Sequence, residues 1–383
     1  MASASVPSMW KLFLTFLKLG FTAFGGPAMQ VEIRKEIVDR KQWMEGIRFD
    51  AGLALCQVIP GAIIMQLAAY IGLKLKGIKG SIVTFIAFGL PSILIIIGLS
   101  MLYKNYHHIE TIEAVLVTLR IIVVAIIAHA TYTFGKKNFR SINDVAIGFI
   151  AALLFLMKLH PAIVVNIAVL LGLILSRKDK PRFPYTGRVR TFNFFLILLS
   201  LLFVSLVLLF LFNPTYFTLA TMMLRIDLFS FGGGLAAVPM MYHEFVDLFG
   251  WLDKKTLFDG IILGQVTPGS IIITATFAGY YHLGLIGSTV ATVFVFIPSY
   301  LILMALAPFF DRLSKFRNFS RAINGILCSF VGLLLITTIH FGIEISWSPE
   351  AITIGLISFA LLMLRVNVGW LIAGGLVLSL FII

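Results

Sequence analysis

The apolar positions of this chain do not alternate with polar ones. They fill uncharged runs of about 20 residues that recur from end to end, as in 192–212, FNFFLILLSLLFVSLVLLFLF. Such a run suits a helix crossing a hydrocarbon core about 30 Å thick. The ten-residue alternating segments of an outer-membrane barrel are absent. The pattern predicts helices near 9–29, 51–73, 79–103, 111–134, 143–157, 160–176 and 191–212. It continues with helices near 216–241, 258–281, 285–309, 321–342, 349–364 and 366–383. The expected fold is therefore an all-α polytopic membrane protein with about 13 transmembrane helices. Segments 143–157 and 160–176 are short enough to form one hairpin that does not span fully.

Composition agrees: 60% of the 383 residues are hydrophobic and 12% charged, where a soluble domain carries about 25% charge. The net charge of +13 would suit nucleic acid in a polar chain. In one this apolar it fits basic loops facing anionic lipid, so the expected partner is the bilayer and no nucleic acid. No cleavage site follows the first apolar stretch, which reads as a retained span.

With the N-terminus inside, seven of the 30 Lys and Arg fall outside: Arg34, Lys35, Arg40, Lys41, Arg48, Lys104 and Lys158. Lys18, Arg120 and Arg225 fall within spans, and the other twenty are cytoplasmic, as the positive-inside rule requires. Thirteen spans then put the C-terminus in the periplasm of a multi-pass inner-membrane protein. The cations of 30–50 accompany Glu32, Glu36, Asp39, Glu45 and Asp50, which predicts local pairing.

The chain repeats itself. KLGFTAFGG (18–26) matches RIDLFSFGG (225–233), and EIVDRKQW (36–43) matches EFVDLFGW (244–251). Gln57-Val58-x-Pro60-Gly61 matches Gln265-Val266-x-Pro268-Gly269, and Pro91 matches Pro298. The offsets are 207 or 208 throughout. Residues 1–176 form a first repeat, 177–213 a basic cytoplasmic loop with a connecting helix, and 214–383 a second repeat. Seven spans precede the second copy, and an odd number inverts it. Lys74, Lys76 and Lys79 follow the first Pro-Gly span, whereas 281–285 carry no Lys or Arg. Inverted repeats with interrupted helices point to a secondary transporter with its site near the midplane.

A Pro-Gly pair inside a span removes helix hydrogen bonds, tolerated in lipid only beside protein or a water-filled cavity. It is expected to divide each span, with Thr267 capping a half-helix and Pro268 in its first turn. Helix N-termini inside the membrane are anion sites. A packing kink is the plainer alternative. Lys18 and Arg225 are repeat equivalents within spans, where a cation is costly and usually functional. Snorkelling for Lys18, or pairing of Arg225 with Asp227, is the alternative.

Phe24-Gly25-Gly26 and Phe231-Gly232-Gly233 permit close or non-helical backbone. Glu36, Glu244, Asp39 and Asp247 recur and could carry protons, though salt bridges at the membrane rim are the plainer reading. Arg120, His129 and His340 read as structural polar groups, and Cys56 and Cys328 as buried apolar residues. His107 and His108 sit in a loop, and no two histidines have helical ligand spacing. No metal and no cofactor is expected.

At FTAFGGP (21–27), FSFGGG (229–234), the two Q-V-x-P-G elements, Trp43 and Trp251, and the late prolines, the chain resembles the chromate ion transporter family in its long, two-domain form. The resemblance covers nearly the whole chain. It implies chromate export across a bacterial inner membrane by halves of opposite orientation. Where that family commonly reads P-G-P, this chain has Pro60-Gly61-Ala62 and Pro268-Gly269-Ser270.

The substrate site expected on these grounds comprises Lys18, Phe24, Gly25, Gly26, Gln57, Pro60, Gly61, Arg225, Phe231, Gly232, Gly233, Gln265, Pro268, Gly269 and Ser270. Glu36 and Glu244 are the candidates for proton coupling. Sulfate shares chromate's shape and charge, so both substrates stay open, as does a passive anion channel. An intramembrane enzyme would need a convergent nucleophile, acid–base pair or metal cluster, and none is seen. A homodimer is allowed but not required.

Overall fold

The computed structural model describes residues 7–22, 27–106, 110–157, 159, 161–175, 191–231, 233–309, 317–364, 366 and 368–382. Among these the chain is helical, with no strand. The first copy holds α1 (Met9–Thr22), α2 (Pro27–Arg34, continued by a π-turn Lys35–Arg40), α3 (Gly46–Val58) and α4 (Ile63–Tyr106). It goes on with α5 (Glu110–Asn138), α6 (Ile142–Leu156) and α7 (Pro161–Leu175), and α8 (Phe192–Phe212) connects the copies. The second copy holds α9 (Pro214–Leu228), a 3₁₀ turn Gly234–Ala236, α10 (Ala237–Tyr242), a π-turn His243–Leu248 and α11 (Lys254–Val266). A 3₁₀ turn Ile271–Ile273, α12 (Thr274–Leu306), α13 (Arg317–Ile343), α14 (Pro349–Met363) and α15 (Val368–Ile382) complete it. Helix starts follow local rules: Asn213 and Ser348 cap α9 and α14 with Pro at N1, and Ser141 and Asp144 form a capping box on α6.

The expected spans 51–73 and 258–281 need correction. If α3 and α4 were collinear, Arg48 and Tyr70 would lie about 33 Å apart. Instead the Tyr70 hydroxyl donates to Arg48 O at 3.4 Å, and the ring fills space that any side chain at Gly52 would occupy. Likewise Thr274 Oγ1 donates to Gly260 O at 3.3 Å, and the Phe277 ring lies on Gly260. The chain thus turns back at each Pro-Gly, making a re-entrant hairpin instead of a crossing. The arms are 13-residue helices, about 20 Å long, too short for a 30 Å core.

A second reversal follows within α4 at Lys76–Gly77 and within α12 at Gly284, where Thr84 Oγ1 reaches back to Ala68 O at 2.8 Å. Among the described residues five helices are long and apolar enough to cross a membrane: Ile63–Tyr106, Val115–Asn138, Phe192–Phe212, Ile271–Leu306 and Ser320–Ile343. Because α4 and α12 each bend back, only their later arms run the full depth. The figure of thirteen is therefore not reproduced. Inversion of the second copy does not depend on that count, because packing displays it directly.

The later arms of α4 and α12 are repeat equivalents, yet Ser81 meets Tyr300 (3.1 Å) and Phe85 meets Phe296 (ring centroids 6.3 Å). One index rises as the other falls, so the arms are antiparallel and the bends at Gly77 and Gly284 lie at opposite ends. Thr131 of α5 meets Thr338 of α13 at 3.4 Å. These residues are 207 apart, so each touches its own counterpart on a pseudo-twofold axis. The short helices are exchanged: α6 and α7 pack on α13, and α14 and α15 on α5, with Asn324 donating to Asp144 at 2.5 Å. Helix α8 buries none of its residues, as a lipid-facing connector should.

The cations of 30–50 pair locally as expected, Arg34 with Asp50, Arg40 and Lys41 with Glu36, and Arg48 with Glu45. Cys56 and Cys328 are buried.

Candidate functional site

The two hairpin tips share one backbone solution. Val58 ends α3, Ile59 is extended and Gly61 takes φ +95°, while Thr267 is extended after α11 and Gly269 takes φ +110°. Only glycine adopts such angles cheaply. Thr267 therefore does not cap a following helix. It closes α11, its hydroxyl returning to Gly264 O at 2.9 Å, and Pro268 lies in the tip before the next helical turn begins at Ile271.

Each tip docks on the other copy. The Gly61 N–H donates to Ser230 O at 2.8 Å, and a Cβ on Gly61 would strike Ser299 and Asp227. Ser92 Oγ donates to Pro268 O at 2.5 Å, and a Cβ on Gly269 would strike Ser92. Ser92 and Ser299 are repeat equivalents that follow the in-helix prolines Pro91 and Pro298. Both stand about 14 residues, or about 21 Å, beyond the start of their helical arm, so both tips dock inside the layer.

Here new helical turns start at Ile63 and Ile271. Their first N–H groups have no intrahelical acceptor and carry the positive end of the helix dipole. The Gln66 side-chain amide is fully buried and holds Pro60 O. Gln265 is buried with an Nε2 that has no acceptor, Gln57 is half-buried, and Ser270 Oγ lies beside Gly234.

A family model described as "Chromate transporter" matches residues 10–173 and again 217–380. This chain belongs to the chromate transporter family. An uncharacterized transporter of Methanocaldococcus jannaschii is 41% identical, the alignment covering 98% of this chain and 95% of its own. A probable chromate transport protein of Synechococcus elongatus is 31% identical over 92% and 89%. A chromate transport protein of Cupriavidus metallidurans is 29% identical over 87% and 82%. No solved structure matches.

In this family member the two matched cations have different surroundings. Arg225 does not pair with Asp227. Its Nε and Nη2 grip Glu244 at 2.7 Å each, and the guanidinium lies 5.8 Å from the Phe249 ring centroid. Glu244 is fully buried, so the pair is an internal strut, and the structure does not aim Arg225 at the tips. Lys18 is exposed on α1 and has no ion-pair partner among the described residues. Helix α1 nonetheless packs on the later arm of α4, with Gly20 against Phe88 O and Pro91 beside Ser92. Glu36 does not face Lys18, being held by Arg40 and Lys41. Phe24, Gly25, Gly26 and Gly232, like His107, His108 and the basic loop 177–190, lie outside the described residues. Gly233 (φ +103°) abuts Ile63, and Phe231 packs on Phe330.

The sequence reading missed Ser92, Ser299, Ser230, Gln66 and Asp227. The serines had a signal, since Pro-Ser recurs at 91–92 and 298–299. Asp227 had a subtler one, an acid where the first copy has Gly20. It is fully buried: Oδ2 accepts from the Ser299 N–H at 2.7 Å, while Oδ1 lies against Gly61 with no hydrogen-bond partner. Arg120 is structural, as expected. It holds Asp259 at 2.7 and 2.8 Å, and the Tyr103 hydroxyl donates to the same carboxylate at 2.8 Å. His129 and His340 pack on Phe359 and Tyr242.

Proposed function

We propose that the chain exports chromate, or a related tetrahedral oxyanion such as sulfate, across a bacterial inner membrane by alternating access. The observation that carries this reading is the reciprocal docking of two Pro-Gly tips, which brings two helix starts together from opposite sides. First-turn amides at Ile63 and Ile271 and the Gln265 amide are the donors, and Lys18 supplies the uncompensated charge. Gln57, Pro60, Gly61, Pro268, Gly269 and Ser270 form the tips, with Gly233 beside Ile63, and the Phe-Gly-Gly repeats at 24–26 and 231–233 join the set on sequence grounds. Arg225, neutralised by Glu244, shapes the site without facing the anion. A dianion leaving a negative-inside cell gains about 2 × 2.3 kcal/mol per 100 mV, and about 2.3 if one proton leaves with it, so the membrane potential favours export.

Residues 1–176 and 214–383 act as opposed halves, with 177–213 between them. The charge bias puts the N-terminus in the cytoplasm and the C-terminus in the periplasm. The names of the relatives favour chromate over sulfate, and the absence of P-G-P does not disturb the tips, since the residue after each glycine leads into a helical start.

The test is flux in liposomes holding purified protein, with chromate and sulfate offered separately. Labelled substrate should accumulate transiently against unlabelled substrate inside, which a channel does not produce. Lys18→Ala should abolish flux while leaving the protein inserted, with Lys18→Arg milder. Flux without counterflow would make this a channel, and near-wild-type flux in Lys18→Ala would remove Lys18 from the site.

A further inference from the structure

Asp227 does not belong to the anion-binding set, and among the described residues no cation pairs with it. The one cation on its own helix, Arg225, is committed to Glu244. The helices packed on α9 are α8, α10 and α12, none of which contains Lys, Arg, Asp or Glu, and the π-turn His243–Leu248 also meets it, carrying His243, Asp247 and the Glu244 that Arg225 grips. The titratable groups of the three helices are Tyr242 on α10, and Tyr280, Tyr281, His282 and Tyr300 on α12. Tyr300 gives its hydroxyl to Ser81, and His282 stacks on Trp251 near the Gly284 bend. What faces the carboxylate is Ser299 of α12, by its N–H and its side chain, and the Gly61 backbone from the tip.

An unpaired carboxylate in a membrane interior is costly and marks function. The carbonyls on the Gly61 side already accept hydrogen bonds, Ser230 O from Gly61 and Pro60 O from Gln66, which leaves a metal cation fewer ligands there than it needs, whereas a proton needs one. One oxygen remains open, Oδ1, and it faces the moving tip. That is the capacity for a single proton.

We infer that Asp227 binds a proton at Oδ1 together with the oxyanion, so that proton and anion cross in the same direction. The inference rests on the transport reading above. Its physical core is linkage. A charged carboxylate against Gly61 repels a dianion held at the tips, and the proton removes that repulsion. Each ligand then tightens binding of the other. The proton arrives from the water on the side to which the tip opens, and leaves on the other side with the anion.

The experiment compares wild type with Asp227→Asn, which keeps an oxygen for the Ser299 N–H. Chromate flux is measured in liposomes at alkaline pH, where chromate is fully dianionic, with and without a pH gradient acidic on the substrate side. Wild-type flux should rise several-fold with the gradient. The asparagine variant should still exchange labelled for unlabelled chromate, more slowly, and ignore the gradient. Asp227→Glu, which keeps a titratable group, should respond to the gradient at a lower rate, and it guards against a folding defect in the first variant.

Wild type that exchanges chromate yet ignores the pH gradient overturns the proton role alone. An equal response in wild type and Asp227→Asn overturns the assignment to Asp227. A wild-type response to a sodium gradient in place of a pH gradient overturns the choice of ligand. Wild type that exchanges neither chromate nor sulfate removes the transport reading itself, and this inference with it.

Discussion

The two copies build the same tip and differ in what stands beside it. At Gly61 and Gly269 the backbone takes the same left-handed turn and lands on the same Pro-Ser element of the opposite copy. Around them the equivalence fails. Arg225 is locked to a buried Glu244, whereas Lys18 is unpaired among the described residues and Glu36 turns to Arg40 and Lys41. Asp227 stands by the first tip, and its counterpart Gly20 is only a close-packing point. Symmetry therefore belongs to the backbone frame of the tips, and asymmetry to the charges beside them.

The sharpest way to break this comparison is at the tips. Gly61→Ala and Gly269→Ala each force a left-handed angle on an L-residue and drive a Cβ into the opposite copy. Strain of about 1–3 kcal/mol at a working element should lower chromate flux about tenfold or more, equally in both variants, in liposome assays normalised to inserted protein. Loss in only one would show that the two tips do not share the work.

The matched cations come next, and they should separate stability from transport. Arg225→Ala takes the paired cation away from buried Glu244, which costs about 3–5 kcal/mol, visible as a marked fall in thermal unfolding temperature in detergent. Lys18→Ala should stay within about 0.5 kcal/mol of wild type while losing flux. Equal destabilisation by the two would erase the distinction drawn between them.

The Arg120–Asp259 pair has no counterpart in the other repeat, since the equivalent positions are Leu327 and Ala51. Removing Tyr103's hydroxyl by Tyr103→Phe should cost about 1.5 kcal/mol, the value of a hydrogen bond to a charged group. Asp259→Ala should cost more, and Arg120→Met in the same chain should restore part of the loss. Chemical denaturation of the three variants in detergent measures both effects.

The smallest effect is expected on the axis. Thr131→Val with Thr338→Val removes one weak interhelical contact, worth about 0.6 kcal/mol. The same pair as Thr131→Cys and Thr338→Cys, with Cys56 and Cys328 replaced, should crosslink within one chain. Failure to crosslink would displace the pseudo-twofold axis.

Much of the frame was legible in the sequence because duplication leaves a long-range signal that single residues do not. Four matched anchors located the tips and the Phe-Gly-Gly segments before any geometry, while the inversion was read from the loop charges and a span count that the structure does not reproduce. What remained hidden was direction. A Pro-Gly after 13 helical residues reads the same whether the chain continues or turns back, and only the meetings of Arg48 with Tyr70 and of Gly260 with Thr274 decide it. Pairing was hidden for the same reason. Arg225 lies two residues from Asp227 but grips Glu244, because residues two apart point to nearly opposite sides of a helix.

The exchange of short helices, α6 and α7 onto α13 and α14 and α15 onto α5, bears on ancestry. Neither copy is whole without its neighbour, so a half-length forebear would have had to insert in both orientations and pair with itself. In such a pair every acid or base beside one tip stands beside the other as well, and a lone carboxylate is forbidden by symmetry. Two halves of different sequence escape that ban, as aspartate at 227 opposite glycine at 20 shows: the jaws match, and only one of them carries an acid at this place.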